Sequence, residues 1–88
     1  MLKVAPWVSW NPVEGALALF DARDGSYHAL NESAADIWRG LAEGSAPDAI
    51  ADRLATGYGI APEQLAGDVF AFIDAALAKG LLVAESAE

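Results

Sequence analysis

Ala16-Leu17-Ala18-Leu19-Phe20-Asp21-Ala22-Arg23-Asp24-Gly25-Ser26-Tyr27-His28-Ala29-Leu30-Asn31-Glu32 is the stretch on which the fold turns. Leu17 and Leu19 alternate onto one face of a strand and Phe20 falls on the other. Ala22 to Gly25 contains Asp-Gly, a strong hairpin signal because glycine supplies a positive φ. Ser26 to Leu30 is then the return strand. Asn31 follows as a helix N-cap whose side chain can accept an orphan N–H, and Glu32 suits the positive end of the helix dipole. The period changes here from strand to helix.

Upstream, Val4 to Trp10 reads as one more strand, with Pro6 confining it to an edge or a strand start. Asn11-Pro12-Val13-Glu14-Gly15 has turn chemistry. Trp7 and Trp10, three apart, are expected on opposite sides of that strand, one in the core and one free to dock a partner enzyme. Downstream, Ala34, Ile37, Trp38 and Leu41 recur at helical spacing as far as Gly44. Ser45-Ala46-Pro47-Asp48 suggests a capping box with proline in the first turn of a second helix. Ile50 and Leu54 form its inner side, and it closes between Gly57 and Gly59. Pro62 opens a third helix with an apolar stripe of Leu65, Val69, Phe72, Ile73 and Ala76. At about 100° per residue, Phe70 falls at one margin of the stripe and Asp68 beyond the other. Gly80 stops the helix, Leu81-Leu82-Val83 fold back, and Ala84 to Glu88 read as a polar tail.

The order β-β-β-α-α-α predicts an α+β, winged-helix-like fold: a three-stranded antiparallel sheet followed by three helices. Eighty-eight residues form one domain over 1–88, expected as a monomer or weak dimer. A hydrophobic content of 55% with only 20% charged residues is enough to fold.

Charge excludes more than it assigns. The formal net charge is −8, and the five basic residues, Lys3, Arg23, Arg39, Arg53 and Lys79, are scattered. Nucleic-acid binding needs clustered cations to displace counterions. A winged-helix DNA-binding protein is the nearest alternative, but its recognition helix would carry Glu63, Asp68 and Asp74 against Lys79 alone. A structural docking subunit that uses the same exposed sheet edge is the other alternative. Without cysteine there is no disulfide or thiolate chemistry, and His28, the sole histidine, has no second soft ligand. No metal and no cofactor are therefore expected. Ser26, His28 and Asp24 suggest no triad, because nothing around them supplies an oxyanion site, so no enzymatic activity is expected. The start lacks the apolar run of a signal peptide, and no stretch is long enough to cross a bilayer. A cytoplasmic protein is the default expectation.

The ordered set from Leu19 through Ala35 resembles the PqqD family, with its apolar strand, Asp, Gly-containing turn, aromatic strand and Leu-Asn at a small-residue helix start. Trp38 to Leu41, Ile50 to Leu54, Tyr58-Gly59-Ile60, Asp68 to Phe72 and Lys79-Gly80-Leu81-Leu82 also fit. Together they span residues 16 to 83. The resemblance implies a domain that binds the leader of a ribosomally made precursor peptide and presents it to a maturation enzyme, such as a radical SAM protein, a leader peptidase or an ATP-dependent modifying enzyme. It also implies that the leader adds as a strand to the third strand, its side chains entering a cleft against the third helix. The expected peptide-binding residues are then Ser26, Tyr27, His28, Ala29 and Leu30 on the strand, with Asp68, Val69, Phe70 and Phe72 on the helix.

Overall fold

The computed structural model describes residues 2–84. Its elements are β1 (Leu2–Val4), β2 (Val8–Val13), β3 (Ala16–Asp21), β4 (Ser26–Leu30), α1 (Glu32–Ala42), α2 (Pro47–Tyr58), α3 (Pro62–Ala78) and β5 (Leu82–Ala84). The expected three-stranded antiparallel sheet followed by three helices is present, in the order β2-β3-β4, with β4 at an edge.

Four local expectations change. The single strand Val4–Trp10 is two strands, because the chain breaks around Pro6, where there is no N–H to extend a ladder. Ala5 turns into the core there and donates its N–H to the Leu81 carbonyl. Trp7 thus precedes β2, and the two-residue strand period never relates it to Trp10. Next, the turn expected over Asn11–Gly15 is only Glu14-Gly15, both at positive φ (51° and 88°). β2 runs on through Pro12, tolerated on an edge strand.

The Ser45 capping box does not form. Ala46 is the N-cap of α2 and makes no side-chain cap bond, while Ser45 donates its N–H to the Gly40 carbonyl. With Pro47 in the first turn, one orphan donor is already gone. Lastly, the fold-back of Leu81–Val83 is a strand: β5 pairs antiparallel with β1, from Leu2 opposite Ala84 to Val4 opposite Leu82. Of the expected polar tail, Ala84 ends β5 and residues 85–88 lie outside the described residues.

The core fills the space between the inner face of the larger sheet and the helices. Leu17 and Leu19 point inward from β3, and Trp38, Ile50, Val69, Ile73 and Leu82 meet them. Trp38 is wholly buried, and its ring meets that of Trp10 edge-on, centroids 5.6 Å apart at 82°. Asn31 caps α1 as the sequence suggests, accepting the Ala34 N–H at 2.9 Å. Among the described residues, no helix is long and apolar enough to cross a membrane.

Candidate functional site

The three-stranded sheet ends at β4, so one side of that strand carries backbone groups with no strand beside them. Strand alternation and the register divide its side chains. Ser26, His28 and Leu30 face inward with Asp21, Leu19 and Leu17, whereas Tyr27 and Ala29 face outward with Phe20 and Ala18. Below the free edge lies an open groove of about 380 Å³. One wall is His28, Ala29 and Leu30, continued by Asn31 and Ala34; the other is Phe72, Ala75 and Ala76 of α3 and its C-cap Lys79, with Leu81 beyond.

Sequence spacing explains the α3 wall. Phe72, Ala75, Ala76 and Lys79 stand at i, i+3, i+4 and i+7 and so share a face. Asp68, one turn before Phe72, is on that face too, beyond the groove's end, and is exposed. Phe70 is two residues from Phe72, about 200° around the helix, and is 47% exposed away from the groove. Val69 is fully buried in the core and supports the wall from behind. The alanines at 75 and 76 keep the groove open, because a larger side chain there would fill it.

One end of the groove is held by a cluster that local reasoning does not reveal. Asp21, almost fully buried, accepts the Arg23 N–H at 2.9 Å, Arg23 Nε at 3.1 Å and Nη2 at 2.8 Å. Nη2 also donates to the Lys79 carbonyl at 3.0 Å. The guanidinium lies over the Trp7 ring at 4.7 Å, and Trp7 Nε1 donates to the Gly80 carbonyl at 2.9 Å. The end of α3 is thereby fastened to the β3–β4 hairpin. Gly80 has φ +74°, and a β-carbon on it would come within 2.5 Å of Arg23 Nη2. Sequence offers little sign of this, since the bonds to the Lys79 and Gly80 carbonyls join positions more than fifty residues apart.

Residues 16–82 match the family of coenzyme PQQ synthesis protein D (PqqD). The chain belongs to the PqqD family. Two solved structures are similar to this PqqD-family chain. One is described as TbiB1 in complex with the TbiA(β) leader peptide: 25% identity, TM-score 0.88, covering 96% of this chain and 98% of that one. The other is described as lasso peptide synthetase B1 complexed with the leader peptide: 25% identity, TM-score 0.87, covering 94% and 98%. No curated protein sequence matches.

Hydrogen bonding from Arg23, chiefly, holds the Asp21 carboxyl below the usual aspartate range, and Ser26 does the same for Asp24. A carboxyl depressed on folding stabilises fully above its unfolded pKa, near 4, and loses that contribution as pH falls through the folded value. Thermal melting of the PqqD-family chain is therefore expected to drop on acidification below about pH 4. Asp21→Asn should melt lower than the parent at neutral pH and show a smaller acid drop. An unchanged acid profile would mean that the Asp21–Arg23 pair does not hold the hairpin.

On the inner face of β4, Ser26 Oγ lies 3.2 Å from Nε2 of His28, which lines the groove. That contact holds the imidazole on β4's inner face, opposite Leu19 of β3. Among the described residues, no group of three or more His, Cys, Asp or Glu is placed to hold a metal ion.

Proposed function

We propose that this chain binds the leader segment of a ribosomally synthesised precursor peptide by strand addition to β4 and presents it to a maturation enzyme. The observation that carries the reading is a free strand edge roofing a groove whose far wall is a helix. The backbone edge supplies sequence-independent affinity, and the groove receives alternate side chains of the added strand. The similar solved structures, both described as leader-peptide complexes, support it.

Ser26, His28 and Leu30 would contact the side chains that enter the groove, Ala29 its rim, and Phe72 its opposite wall. Asp68 would meet the peptide only where it leaves the groove toward the start of α3. The chain acts by proximity, raising the local concentration of precursor near its enzyme without doing chemistry. That enzyme is a radical SAM protein, a leader peptidase or an ATP-dependent modifying enzyme.

The test is calorimetric titration with synthetic peptides tiling the short precursors encoded in the same genome. One segment should bind. Phe72→Ala should weaken it by about 1–3 kcal/mol, the scale of a lost apolar anchor, and Phe70→Ala should leave it nearly unchanged. Equal losses for both phenylalanines, or no binding segment, would overturn the assignment.

A further inference from the structure

We propose that the outer face of the larger sheet, at its β4 edge, is a second reading surface for the same peptide, where Tyr27 and Phe20 receive a bulky apolar side chain of the leader. This rests on the strand addition proposed above.

The outer-face positions are Ser9, Asn11 and Val13 on β2, Ala16, Ala18 and Phe20 on β3, and Tyr27 and Ala29 on β4, as the register requires. None is charged, on a chain of net charge −8. An antiparallel sheet with one solvated face ordinarily turns polar residues outward; here Ser9 and Asn11 of β2 do so, while toward the β4 edge the face is alanines and two packed aromatics. The Tyr27 ring is 75% exposed and leans on Phe20 with centroids 5.0 Å apart.

A strand laid against β4 cannot use the groove alone. Successive side chains of a strand project to opposite faces, so each residue entering the groove is followed by one on the outer face. The outward residue opposite Tyr27 would extend the row Ser9–Phe20–Tyr27 at cross-strand contact distance. Beside it, Ala18 and Ala29 are short and leave a ledge on which a large side chain can lie. With no charge to pair, the chemistry favoured is apolar or aromatic. Leader specificity is then two interleaved patterns, one read by the groove and one by the ledge.

The probe is an mRNA-displayed library of random dodecapeptides, selected against the full chain and against Tyr27→Thr, Phe72→Ala and Ala29→Pro. Threonine keeps strand propensity at position 27 while removing the ring. The parent is expected to enrich peptides with apolar preferences in both alternating sets. Tyr27→Thr should lose one set and Phe72→Ala the other, with Ala29→Pro losing both. By fluorescence anisotropy, the best parent-selected peptide should bind Tyr27→Thr roughly three- to tenfold more weakly, at a temperature where circular dichroism shows the variant fully folded. Identical selections on parent and Tyr27→Thr would overturn the outer surface, while losses confined to Phe72→Ala and Ala29→Pro would leave the groove standing. No enrichment on the parent would remove both readings. A dimer in sedimentation that Tyr27→Thr dissolves would show a second copy covering this face and would overturn the proposal.

Discussion

Ala29→Pro is expected to fold and to lose leader binding by at least about tenfold. An edge strand accepts proline where the missing N–H would face solvent, so the sheet can survive the change. An added strand cannot ignore it. The pyrrolidine ring removes a donor and projects bulk along the edge where the peptide backbone must lie. One backbone hydrogen bond is worth about 0.5–1.5 kcal/mol net, and displacing the neighbouring pairs brings the loss past the roughly 1.4 kcal/mol that corresponds to tenfold. Circular dichroism checks the fold and calorimetric titration with the tiled precursor peptides reads the affinity. Parental affinity in a folded variant would move the peptide off β4.

Trp38 carries the second large effect. It is wholly buried on α1, edge-on to Trp10, and its Nε1 has no hydrogen-bond partner. Truncation to alanine should cost about 3–5 kcal/mol, a large part of the roughly 5–15 kcal/mol that a small domain possesses. Trp38→Phe should cost much less. It leaves a smaller void, and it deletes a buried N–H whose unmade bond already costs about 1–3 kcal/mol. Urea unfolding followed by far-ultraviolet circular dichroism separates the two variants. Equal losses would show that the indole N–H finds a partner in solution.

The central hairpin and the start of α1 were legible in the sequence because their signals are local: a two-residue alternation in Leu17 and Leu19, Asp24-Gly25 at the turn, and Asn31 before a helical period. The β1–β5 pair was not legible. Three-residue strands at opposite ends of the chain carry almost no pattern, and only tertiary packing brings them together. Proline misled in two places. Pro6 ended a strand that its neighbours seemed to continue, and Pro12 lay inside a strand because the edge spared it a ladder bond.

For the groove, His28, Ala29, Leu30 and Phe72 are among the residues that the PqqD resemblance implies, and they line it. Phe70, at the margin of the α3 stripe, is expected from the same resemblance to wall the groove; it is 47% exposed and lies about 200° around the helix from Phe72, which lines the groove. The i, i+3, i+4, i+7 spacing from Phe72 through Ala75 and Ala76 to Lys79 is the signal that would have completed the α3 wall. Arg23 had no such signal. Its partners, the Lys79 carbonyl and the Trp7 ring, lie in distant parts of the chain.

The pairing of Leu2 with Ala84 has an architectural consequence. A unit whose described ends run side by side in one small sheet can be carried by a larger polypeptide as an insertion, entering and leaving through neighbouring strands. The edge proposed to take the peptide belongs to the other sheet, so such a graft would leave β4 unobstructed and the groove the same shape in a free subunit as in a fused one.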